Sequence, residues 1–155
     1  MIKKIALGLL IVFVALQFIR PTRNSSTIPS TNDIRTAYVV PENVLKVFEK
    51  SCYDCHSNNS AYPWYTNIQP IGLWMQQHVD EGKDELNFSE FKSYSIKRQL
   101  KKMKEIRNEI NEDEMPLSSY LIIHRDANLN NEQKKNIIDW TLAMEKELAT
   151  SLPKE

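Results

Sequence analysis

Cys52-Tyr53-Asp54-Cys55-His56 is the stretch of this 155-residue chain whose residue types and spacing carry recognisable chemistry. It is a C-x-x-C-H pentapeptide, the pattern of covalent haem attachment. Two thiols three positions apart can each add to a haem vinyl group. The imidazole that follows then lies against the iron as its proximal ligand. The chain holds only these 2 cysteines, so no disulfide framework competes for them. Two other chemistries use the same letters. A thioredoxin-like redox pair calls for a βαβ context, and no run of β-branched strand residues surrounds the motif. A structural zinc site would recruit His56 with His78 or His124, but such sites bring a second close pair of ligands and these histidines are isolated.

An iron held by His56 has one axial position left. Met115 is the best-placed donor. Pro116 follows it and holds the chain extended there, and the preceding Asn111-Glu112-Asp113-Glu114 is polar, so packing explains Met115 poorly. Met75, Met103 and Met144 fall on helical stripes where core packing accounts for them. His78 and His124 are the alternatives, and either would give a bis-histidine haem. The choice has consequences, because axial identity shifts haem potentials over about 0.8 V. Methionine/histidine ligation raises the potential, and a filled sixth position leaves no room for oxygen or peroxide. The chain therefore reads as a mono-haem c-type cytochrome, with one covalent haem c per chain. It would pass single electrons to redox partner proteins in or near a membrane, with no catalytic residue assigned. The alternative is a haem enzyme or sensor subunit, peroxidase-like or gas-binding, with an open sixth position.

The elements that must position these residues read as all-α. Pro41 and Glu42 open a helix with proline early and an acid in the first turn. Val44, Leu45, Val47 and Phe48 give it an apolar face that runs into Cys52. Tyr62-Pro63-Trp64-Tyr65 reads as a packed loop; Tyr62, Trp64, Trp74 and Tyr120 are candidate wall or propionate partners. Pro70 starts a second helix that Gly82 ends. Ile71, Trp74, Met75, His78 and Val79 form its apolar stripe, which puts His78 on the buried side. A third helix fits Tyr94 to Ile110, with Ile96, Leu100, Met103, Ile106 and Ile110 inward. Its Lys97, Arg98, Lys101, Lys102 and Lys104 read as a solvated face, or as a docking surface for an acidic redox partner. The last helix starts after Asn130 or Asn131, carries Ile137, Ile138, Thr141, Met144 and Leu148 inward beside Trp140, and frays near Pro153.

At the front, Lys3 and Lys4 precede an apolar run, Ile5 to Ile19, interrupted only by Gly8 and Gln17. Fifteen helical residues span about 22 Å, short of the roughly 30 Å hydrocarbon core, yet the flanks match a secretory segment. No small-residue cleavage site follows. Residues 1–20 are thus expected to be an uncleaved signal-anchor, with Lys3, Lys4 and Arg20 snorkelling; a cleaved signal peptide is the alternative. Either would place the remainder on the periplasmic side of the cytoplasmic membrane, as a tethered or a released domain. Residues 21–36 are polar, without apolar periodicity, and read as a flexible linker. Residues 37–150 form one small domain. The chain carries 20 basic and 20 acidic residues, and 4 of the basic ones precede the first acid, Asp33. The remainder is mildly acidic, which speaks against a nucleic-acid partner.

The order of features resembles the class I cytochrome c plan: helix, C-x-x-C-H, loop, helices, Met-Pro loop, C-terminal helix. More closely, the chain is similar to the small haem-binding domain family of bacterial exported proteins. The stretches that carry the likeness begin with Cys52-Tyr53-Asp54-Cys55-His56-Ser57-Asn58-Asn59 and Tyr62-Pro63-Trp64-Tyr65. They continue with His78-Val79-Asp80-Glu81-Gly82-Lys83, Leu86-Asn87-Phe88-Ser89, Glu114-Met115-Pro116-Leu117 and Asp139-Trp140. Together they cover residues 40 to 145. The resemblance implies a cytochrome-c-like haem domain with Cys52, Cys55 and His56 at the haem, and the class I plan carries the distal role onto Met115. One departure is the absence of a lysine-rich face around the motif, which puts a cationic docking ring in doubt.

Overall fold

A computed structural model describes residues 1–152. Eight helices appear in chain order: α1 Ile2–Leu16, α2 Ile34–Ala37, α3 Glu42–Ser51, α4 Tyr53–His56, α5 Ile71–Glu85, α6 Ile96–Asn111, α7 Ser118–Leu121 and α8 Asn131–Thr150. Short 3-10 turns at Trp64–Asn67, Phe88–Ser93 and Arg125–Ala127 join them. Among the described residues there is no strand, only an isolated bridge between Ser25 and Asn59. The all-α expectation therefore holds. The fraying expected near Pro153 lies outside the described residues.

Helix α6 begins two residues later than the apolar pattern implied, because the Ser95 hydroxyl accepts from the Arg98 amide at 3.3 Å and caps it. Asn130 caps α8, with a reciprocal capping box to Gln133. These two helices pack together through Met103, Ile106 and Ile110 on one side and Ile137, Trp140, Met144 and Leu148 on the other. Phe48 of α3 joins them to the turn before α6: its ring stacks on Phe88 at 4.7 Å and meets Trp140 edge-on at 5.4 Å. Such aromatic pairs add about 0.5–1.5 kcal/mol beyond the area they bury.

Three expectations change. Gly82 does not end α5, which runs on to Glu85. Residues 21–36 are no free linker: Asn24 and Asp33 are buried, and Ile34 is 0% exposed within the core. The third concerns the N-terminus. Among the described residues no helix is long and apolar enough to cross a membrane, and the 15 residues of α1 reach only about 22 Å. The expected signal-anchor and the periplasmic membrane-side location are corrected on that ground. Arg20 does not snorkel either. Its guanidinium donates to the Asn67 carbonyl at 2.7 Å, and Gln17 exchanges hydrogen bonds with the Gln69 backbone at 3.0 and 3.1 Å.

Candidate haem site

The pentapeptide straddles a helix break. Cys52 closes α3 in a non-helical conformation, and α4 then carries Cys55 and His56 as a single turn. What holds that turn is α5. His56 Nδ1 lies 2.8 Å from the carbonyl of Gly82 and 2.9 Å from that of Leu86. A carbonyl can only accept, so Nδ1 carries the proton. Nε2 keeps its lone pair, and no hydrogen bond engages it among the described residues. This is how proteins fix a metal-binding imidazole: the far nitrogen is tied down and the near one left basic. Burial pulls the His56 pKa below its ordinary value, and the two backbone bonds pull the other way. The ring is therefore neutral at pH 7.

Gly82 explains how α5 comes so close. A Cβ built there would sit 2.9 Å from the Cys55 carbonyl oxygen and 3.1 Å from the Cys55 Cβ. Only glycine lets the helix lie against the motif and still present its carbonyl to His56.

Two adjoining cavities, of 320 and 280 Å³, open beside the motif. Both are bordered by Ser51, Cys52, His56, Glu85 and Met115. The first is walled by Phe48, Leu86, Phe88, Ile106 and Ile110; the second by Cys55, His78, Gly82, Leu117 and Tyr120. The structure thus brings Cys52, Cys55, His56, His78 and Met115 to one space. It does not bring His124 there. That imidazole stacks on Tyr120 at 4.3 Å, and its Nε2 pairs with the Tyr65 hydroxyl at 2.7 Å. His78 is half-buried rather than in the core, with Nδ1 on the Trp74 carbonyl at 2.9 Å.

Met115 owes its place to the end of α6. Asp113 takes φ 59°, the left-handed region, and the Glu114 amide folds back on the Glu109 carbonyl at 3.0 Å. This is the six-to-one bond of a Schellman ending. It reverses the chain, so Met115 comes off the helix facing the cavity rather than continuing along the axis.

Both cysteines are partly buried at the edge of the cavities. Burial, then Cys55, pushes Cys52 up to about 12; burial, then Asp54, pushes Cys55 up to about 11. Both are therefore thiols rather than thiolates at neutral pH. A zinc centre is poorly supported: among the described residues no three His, Cys, Asp or Glu side chains gather to hold a metal ion. A soft thioether, a basic imidazole nitrogen, two protonated thiols and an apolar slot fit a haem.

Of the four candidate wall aromatics, only Tyr120 borders these cavities. Its hydroxyl is already committed, donating to Asp54 Oδ2 at 2.8 Å. Tyr62 accepts from the Asn24 amide and donates to Gln76, while Trp64 is 75% exposed. Lys102 is the residue that sequence reading missed. It belonged to a basic helix face, yet it is buried against the first cavity. The signal was its spacing: Gln99, Lys102, Met103, Ile106 and Ile110 share one buried face.

The family model for a haem-binding domain matches residues 11–143. No curated protein and no solved structure gave a match.

Proposed function

Since the chain belongs to the haem-binding-domain family, we propose that it works as a mono-haem c-type cytochrome carrying single electrons between redox partner proteins. The observation that carries this reading is the His56 imidazole, pinned through Nδ1 to two carbonyls and left basic at Nε2, in a cavity that Met115 also borders. Cys52 and Cys55 would each add their S–H across a vinyl double bond. Sulfur bonds to one carbon and the thiol hydrogen passes to its neighbour, so attachment is redox-neutral. His56 and Met115, which border the same cavities, are the residues that would hold the iron. Bound haem supplies a reversible one-electron change between ferric and ferrous iron. Phe48, Leu86, Phe88, Ile106 and Ile110 would give the bound ring an apolar wall.

The test is an optical spectrum of the full chain made alongside a haem-attachment system. A reduced c-type spectrum that persists after denaturation is expected, showing covalent attachment. The oxidised protein should show the weak long-wavelength thioether-to-iron band. Met115→Ala should abolish that band, and His78→Ala should leave it unchanged. A high-spin spectrum in the parent protein would overturn the electron-carrier reading in favour of an open iron. An unaltered spectrum in His56→Ala would remove the proximal assignment.

A further inference from the structure

Five carboxylates border the two cavities, Asp54, Glu81, Glu85, Glu105 and Glu109, and among the described residues one ammonium joins them, Lys102. Its position is unusual for its surroundings. Lysines bury the stem and keep the head in water, as Lys101 does beside it with 72% of its side chain exposed. Lys102 shows 7%. Its Nζ lies 2.6 Å from Glu105 Oε2 and 3.4 Å from Glu85 Oε2.

Neither carboxylate explains the burial. Glu85 is 82% exposed and Glu105 36% exposed, so both are hydrated. Glu105 also has Lys101 at 3.2 Å. Withdrawing an ammonium from water is costly unless anions surround it. An ammonium has three N–H donors. Two carboxylates account for two of them. The third remains for the cavity.

We propose that Lys102 is the anion-binding group of this site and takes a propionate carboxylate of the haem; this rests on the haem reading above. Lys102 then sets how the ring is seated. It also offsets, from within, the negative field of the five carboxylates around an iron whose charge changes by one.

The experiment compares reversible binding of haem and of haem dimethyl ester, whose carboxylates are capped, to the full chain. A Cys52→Ala/Cys55→Ala background prevents covalent capture. With Lys102 present, haem should bind about tenfold tighter than the diester, the scale of one charge-assisted hydrogen bond. Lys102→Met should remove that preference and Lys102→Arg should retain it. Equal weakening of both porphyrins by Lys102→Met would overturn the proposal and leave Lys102 as a tie between α5 and α6. If neither porphyrin binds the Lys102 parent, the haem reading itself fails. On the covalently loaded chain, Lys102→Met should move the one-electron equilibrium toward ferric iron by about threefold to tenfold, tenfold being 59 mV. A potential unchanged from the parent would likewise overturn the assignment.

Discussion

His56 is positioned by backbone, not by charge, and this makes it robust. The carbonyls of Gly82 and Leu86 lie at the C-terminal end of α5, where a helix has acceptors to spare. No side-chain substitution can remove them without unwinding that turn. The two thiols are controlled differently, by partial burial. A thiol pushed up to about 12 or about 11 holds far less thiolate at pH 8 than free cysteine, whose pKa is about 8.5. Alkylation of the haem-free chain by iodoacetamide at pH 8 should therefore run on the order of 10²- to 10³-fold slower than with free cysteine. The rate should climb with pH until 11–12. Fast alkylation at pH 8 would reveal an activated thiolate and reopen the redox-pair reading. At this scale the gathering of side chains was legible, because residue type and spacing drew attention to Cys52, Cys55, His56 and Met115, which all border the cavities. Met115 is legible as a methionine off every apolar stripe, although in the fold it also packs against the core cluster. Lys102 is not legible in this way, because a run of cations reads as a wet surface until the face it shares with Met103 and Ile106 is counted.

The helices show where local pattern and packing part company. Two helix starts were readable, since Asn130 and the Pro41-Glu42 start act on their own neighbours, whereas the Ser95 cap was overrun by the apolar pattern. Gly82 misled because glycine has two uses, to end a helix and to let another element come near, and only tertiary structure tells which. The distinction has a measurable consequence. In an ordinary helix interior Gly→Ala gains about 1 kcal/mol of propensity. Here the new methyl would meet the Cys55 carbonyl at 2.9 Å and its Cβ at 3.1 Å, neither of which is a flexible side-chain end. Overpacking of that kind costs about 1–3 kcal/mol, so Gly82→Ala should be net destabilising or at best neutral. It should also disturb His56, whose acceptor is the same residue. Urea unfolding together with haem loading would check both. A variant that gained the full propensity term and loaded normally would mean that α4 and α5 have slack between them.

Taken whole, the molecule is larger than its motif-bearing half. The polar composition of residues 21–36 hid their role, because apolar periodicity cannot register a strap held by single residues. Asn24 is hydrogen-bonded through both ends of its side chain and through its backbone amide. Its side-chain nitrogen donates to the Ser57 carbonyl and the Ser60 hydroxyl at 2.8 Å each, its side-chain oxygen accepts from Lys83, and its amide donates to Tyr62. It thereby joins the loop after the haem motif to α5, the helix that orients His56. Further along, Asp33 caps α2 and Ile34 enters the core. A flexible linker predicts that substitutions here are silent, whereas a strap predicts selective damage. Ile34→Ala should cost about 2–5 kcal/mol, the range for an aliphatic side chain removed from a packed core. Ile28→Ala, at a residue 76% exposed, should stay within about 0.5 kcal/mol. Chemical denaturation of the two variants side by side gives the answer: equal, small effects would return the segment to linker status. A large loss confined to Ile34 would make the strap part of the scaffold that holds α3, α4 and α5 around the site.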